Sequence, residues 1–239
     1  MRTFKSQSGP FAEKPYYTPN DVEAICSEEL QKLGFYPSAP CPIRIDRFIE
    51  KRFNLQPTYE VLPNGLLGFT RFGVKGVEEI VITTALDEEG TRTAERRLRT
   101  TLAHEGGHGL LHTHLFVLGP RPDALFGDGL AKDAPKILCR DDGMPATGAG
   151  SKTKPPYRWW EFQANLAMGA LLLPKTLVAQ AVGGHLEPQG MLGLLPMLPA
   201  SRRALAIREL ADIFDVNPVV VRIRLESLYP EHSGNQLTL

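Results

Sequence analysis

Apolar residues fall three or four apart over TPNDVEAICSEELQKLGF. Val22, Ile25, Cys26, Leu30 and Leu33 then share one face of a helix that Gly34 can end. Ile45, Phe48 and Ile49 mark a second, short helix. The pattern then changes. TYEVL, GLLGFTRF and EEIVITTAL are dense in β-branched and apolar residues, with PNG at 63–65 and GVKG at 73–76 as turns, so three antiparallel strands are expected. Helical spacing returns over 91–113, with Leu98, Leu102 and Glu105 on one side and Arg96, Arg97 and Arg99 expected in solvent. It returns again in RWWEFQANLAMGALLLP, with Phe162, Leu166, Ala170 and Leu173 as a stripe and Pro174 opening the next element. Near the C-terminus, Ala206, Leu210, Ile213 and Phe214 line one helix. Asn217 caps another, with Pro218 at its first position and Val221, Leu225 and Leu228 facing back.

Three stretches lack a period. Residues 1–18 read as a loose lead-in. Residues 117–157, rich in Gly, Pro, Asp and Lys, read as a lid, a binding loop or a disordered insertion. GGHLEPQGMLGLLPMLP reads as an irregular link. The expected organisation is a lead-in at 1–18, a main domain at 19–190 that carries the insertion 117–157, and a helical segment at 191–239.

Composition narrows the class. At 42% hydrophobic, the 239 residues can bury a core. A formal net charge of +0 argues against a nucleic-acid binder. In the last helices Arg202, Arg203, Arg208, Arg222 and Arg224 stand against Glu209, Asp212, Asp215 and Glu226, and Val219, Val220 and Val221 suit packing. Direct nucleic-acid binding by the chain alone is therefore not expected. Cys26, Cys41 and Cys139 are scattered, with no CxxC pair, which suits a reducing compartment. The basic N-terminus lacks an apolar run, and AMGALLLP is too short to span a bilayer, so a cytoplasmic protein with no membrane partner is expected. Cys139 is read as a free thiol, Trp159 and Trp160 as packing anchors, and His185 and His232 as exposed.

The chemistry concentrates in LAHEGGHGLLH. His104-Glu105-Gly106-Gly107-His108 is an HExxH sequence. Residues four apart lie on one helix face, so both imidazoles can reach one Zn²⁺ at about 2.0–2.1 Å. Glu105 projects about 100° away and can take a proton from an attacking water. Each glycine costs a helix about 1 kcal/mol against alanine, so a neighbour pressing on Gly106, Gly107 and Gly109 is expected. A catalytic zinc needs a third protein ligand. His114 stands at the third-histidine position of the metzincin pattern, but Leu111 holds the place of that pattern's turn glycine. Glu161 is the better candidate and completes a His₂Glu set of the thermolysin kind. Asn165, four residues on, can accept the Nδ1–H of a zinc histidine. His112, about 12 Å along the axis from His104, is out of reach of a shared metal and packs or hydrogen-bonds. Tyr157, Arg158 and His112 are the candidates for steadying an oxyanion.

These segments resemble the ImmA/IrrE metallo-endopeptidases. RTTLAHEGGHGLLH is similar to that family's active-site helix. EFQANLAMGALLLP is similar to its downstream helix, Glu-x-x-Ala-Asn leading into Leu-Leu-x-Pro. NDVEAICSEELQKLGF, the end of the β region at IVITTAL, and LADIFDVNPVVVRIRLESL resemble its lead-in and closing helices, so the likeness covers about residues 19–228. It implies an α+β fold with a gluzincin/thermolysin-like core: a small antiparallel sheet on the HExxH helix, then a helix-turn-helix-like segment. It implies Zn²⁺ on His104, His108 and Glu161, with Glu105 as general base. The implied substrate is a protein, a co-encoded helix-turn-helix repressor or antitoxin whose cleavage alters gene expression. Two departures stand out. Gly106 replaces the usual Leu, and the stretch between His108 and Glu161 is long enough to be a lid, an autoinhibitory plug or a docking arm. Two other readings remain: a DNA-binding regulator with a structural or sensing metal, and a partner-binding module that keeps the metal without proteolysis.

Overall fold

Thr18 starts the first helix with reciprocal bonds. Its hydroxyl accepts from the Asp21 amide at 3.1 Å, and the Asp21 carboxylate accepts from the Thr18 amide at 2.8 Å. The helix ends at Gly34, whose φ of 79° is the left-handed conformation that favours glycine. A computed structural model describes residues 2–5, 13–73, 75–117, 136–140, 159–189 and 195–230. Its elements are β1 (Arg2–Lys5), β2 (Glu13–Tyr16), α1 (Pro19–Leu33), α2 (Ile45–Phe53), β3 (Thr58–Glu60), β4 (Leu66–Gly73), β5 (Gly76–Thr83), α3 (Thr84–Glu88), α4 (Arg92–Val117), β6 (Lys136–Arg140), α5 (Trp159–Leu172), α6 (Lys175–Val182), β7 (Glu187–Gln189), β8 (Leu195–Met197), α7 (Ala200–Ile213) and α8 (Pro218–Leu228). The fold is α+β, with small sheets beside a larger helical part.

Helix α4 is central. Strands β4 and β5 lie on one side of it and α5 on another, and α1 packs on α5 in turn. Residues 101–109 of α4 are buried without interruption. The core beneath joins Phe48 and Ile49 of α2, Leu102 of α4, Leu171 of α5, and Leu210, Phe214, Val221 and Leu225 of the last helices. Each such side chain, fully enclosed, contributes about 1.5–3 kcal/mol.

The sheet departs from the expected three antiparallel strands. The order is β3-β5-β4-β6, and β3 pairs with β5 in parallel. The β4–β5 hairpin places β5 directly against β4, so β3 is left with the far edge of β5. On the other edge of β4 lies β6, drawn from the stretch that shows no period in the sequence. It runs antiparallel, with Phe69 opposite Leu138 and Thr70 opposite Ile137. Cys139 sits on this strand opposite Gly68.

Other expectations need correction. The lead-in holds a hairpin, β1 against β2. The link after α6 holds another, β7 against β8. Arg96 is not solvated. It is buried, donating to Asp215 at 3.0 Å, to Asp212 at 2.9 Å and to the Ala211 carbonyl at 2.9 Å, which ties α4 to the end of α7. Arg99 is half-buried and donates to the Ile43 carbonyl. Phe162 is exposed, because α5 turns Trp160, Ala164, Ala167 and Leu171 inward instead. His185 is largely covered and meets Glu209 at 2.7 Å. Trp160 packs against Phe72 and Phe116, as an anchor does. No single helix among the described residues is long and apolar enough to cross a membrane.

Candidate metal centre

Helix α4 starts beneath Thr91, whose hydroxyl accepts from the Ala94 amide at 3.1 Å. It then runs as one helix through residues 104–108, so His104 and His108 lie a turn apart on the side that meets α5. Contact between the two helices is close at Gly107. A Cβ there would stand 2.9 Å from Ala167 Cβ and 3.0 Å from the Ala164 carbonyl oxygen. Only a residue without a side chain lets α5 approach this far. At Gly106 the pressing neighbour is Ile49 of α2, at an ordinary 3.5 Å.

That approach brings three ligand atoms together. His104 Nε2 and His108 Nε2 are 3.0 Å apart, and Glu161 Oε2 is 3.1 Å from the first and 3.6 Å from the second. Tetrahedral ligands at about 2.0–2.2 Å from zinc stand about 3.3–3.6 Å apart. One of the three distances falls in that range and the other two are about 0.2–0.3 Å shorter, so a small outward shift of His104 Nε2 would match three corners of such a site. Both histidines are enclosed and Glu161 is nearly so. His104, His108 and Glu161 form a group that can hold a metal ion, and His114 is not part of it.

Protonation suits the same purpose. Burial alone would raise the Glu161 pKa, but His108 and His104 outweigh it and hold the carboxyl well below its ordinary range. Burial pushes His108 below the usual imidazole range, partly offset by Glu161. An ionised carboxylate is the form in which Glu161 would ligate a divalent cation. Asn165 stands where its sequence position suggests, with Oδ1 accepting from His104 Nδ1 at 3.0 Å. In the neutral ring that bond leaves Nε2, the nitrogen nearest His108 and Glu161, able to accept a metal.

Glu105 meets β4 of the sheet. It is fully buried, and the Thr70 hydroxyl of β4 donates to its Oε2 at 2.5 Å. The same hydroxyl lies 3.2 Å from the Glu105 carbonyl oxygen. Thr70 went unnoticed in the sequence because an alternating strand looks the same whichever residue meets the helix. Tyr157 and Arg158 lie outside the described residues, as do His232 and the side chain of Cys139. His112 is buried one turn beyond His108, with Nδ1 to Nδ1 at 3.0 Å. It is not an isolated packing residue but a partner of the candidate ligand.

Fold and site thus define an α+β chain with a buried two-histidine, one-carboxylate group between a long helix and its neighbour. No protein-family model matches the chain, and neither does any curated protein.

Proposed function

We propose that this chain is a zinc-dependent endopeptidase with a gluzincin-like core, related in kind to the ImmA/IrrE peptidases. The observation that carries the reading is the convergence of His104, His108 and Glu161 beside a buried Glu105. Zinc held there would polarise the scissile carbonyl and lower the pKa of the attacking water. Asn165 orients the His104 ring. Glu105, steadied by Thr70, takes the proton of that water and returns it to the leaving amine.

The substrate is a protein segment bound in extended form along β4, the strand that touches Glu105. Strand β6 already pairs with that edge, so it acts as an internal occupant that a substrate displaces. The sequence resemblance nominates a helix-turn-helix repressor or antitoxin, so the activity would serve gene regulation inside the cell. A nucleic-acid role for α7 and α8 has less support. Arg203 donates to the Tyr229 carbonyl, Arg224 binds Glu23 and the Leu173 carbonyl, Arg202 pairs with Glu187, and Arg222 pairs with Glu226.

The test is Glu105→Gln, mixed with a co-encoded helix-turn-helix repressor and followed by gel and mass spectrometry. The variant is expected to keep zinc and lose cleavage by at least about a hundredfold, the scale of general acid–base catalysis. Normal cleavage by the variant would refute the mechanism. A variant that keeps full biological function, while ligand variants lose it, would favour the non-proteolytic partner-binding reading.

A further inference from the structure

His108 does not end the polar network of α4. Its Nδ1 lies 3.0 Å from His112 Nδ1, His112 Nε2 lies 3.0 Å from Gln163 Oε1, and Gln163 Nε2 donates to the Pro15 carbonyl at 2.8 Å. His108, His112, Gln163 and Pro15 are all buried, so a mismatched partner there is costly.

The direction of every bond follows from one end. A backbone carbonyl can only accept, so the Gln163 amide nitrogen faces Pro15 and its oxygen faces His112. That oxygen also can only accept, so His112 Nε2 carries a proton. A neutral His112 then has a bare Nδ1, and a second proton there would face the His108 ring nitrogen. A charged ring is costly in the fully enclosed position of His112, and with that ring neutral the arrangement that satisfies all four groups places a proton on His108 Nδ1. The nitrogen left to accept a metal is His108 Nε2, the one aimed at His104 and Glu161.

We infer that His112 and Gln163 are positioning residues, through which the Pro15 carbonyl of β2 fixes the tautomer and orientation of His108. His104 needs one acceptor, Asn165, while His108 is held by a relay that crosses from α4 through α5 to the N-terminal hairpin. This inference deepens the metal-site reading and rests on it for its functional consequence. It also gives the hairpin a role: β2 anchors the candidate metal centre.

The test uses the full chain labelled with ¹⁵N in histidine. In the metal-free protein, NMR is expected to find a proton on His108 Nδ1 with a scalar coupling across the hydrogen bond to His112 Nδ1. A proton on His112 Nδ1 instead, or no coupling, overturns the relay. The variants His112→Phe and Gln163→Leu are then titrated with zinc against a chromogenic chelator. His112→Phe is expected to weaken zinc about 10–100-fold. Gln163→Leu is expected to weaken it and to redistribute the His112 proton between its nitrogens. Unchanged zinc affinity in both variants overturns the positioning role. A wild-type chain with the stated tautomers and no zinc affinity refutes the metal reading and keeps the hydrogen-bond relay, so the two failures are distinguishable. Should a variant not fold, the wild-type spectrum alone decides the tautomer.

Discussion

At the residue scale, adjacent glycines in LAHEGGHGLLH have different neighbours. Gly107 is where α5 comes close, and Gly106 merely faces Ile49. Gly107→Ala is therefore expected to destabilise by about 1–3 kcal/mol, since its methyl would press on a backbone carbonyl and on Ala167 Cβ. Gly106→Ala is expected to be neutral or to gain up to about 1 kcal/mol of helix propensity. Urea unfolding of both variants checks the pair, and equal losses would refute the contrast. The group that could hold a metal was legible because histidines four apart, and Glu161 four before Asn165, are statements about helix faces. The His112 relay was half legible. Its hydrogen-bonding role followed from the axial distance, but its partners did not. Gln163 is on another helix, and the relay ends on a carbonyl 148 positions earlier in the chain. Main-chain acceptors leave no mark in a sequence.

At the element scale, β6 occupies one edge of the central sheet. It pairs with the edge of β4 beside Glu105. Replacing Ile137 and Leu138 together with proline removes both amide donors, whichever of them faces β4. The double variant is expected to cleave a repressor substrate several-fold faster, because the edge is no longer contested. A lost or unchanged rate, measured at equal zinc content, would contradict an internal occupant and would favour a docking arm. Strand β6 was illegible for a physical reason. A five-residue strand held on one side only, among Gly, Pro and charged residues, has no amphipathic period to display. The parallel β3 was illegible for another. Strand density predicts that a strand exists, but its direction is set by which edge remains free. Helix α1 was legible because a terminal glycine and an apolar face agree, and α2 because Ile45, Phe48 and Ile49 share one buried face.

At the scale of the whole molecule, the last two helices belong to the same hydrophobic cluster as the helix that carries His104 and His108. Arg96 reinforces the junction, since α4 reaches Asp215 and the Ala211 carbonyl through it. The bond to exposed Asp212 adds little, because solvent screens it. Arg96 looked like part of a solvated face because its partners lie more than a hundred positions away. In the last helices and the link before them, Arg202 pairs with Glu187, Arg222 with Glu226 and Arg224 with Glu23. The central claim is that His104, His108 and Glu161 hold zinc, and X-ray absorption at the zinc edge of the purified chain tests it most directly. One equivalent of zinc is expected, with nitrogen and oxygen neighbours at about 2.0–2.2 Å and the scattering pattern of imidazole rings. Loss of stoichiometric zinc is expected in His108→Ala and Glu161→Ala. A sulfur neighbour at about 2.3 Å, or zinc that survives removal of these ligands, would contradict the account.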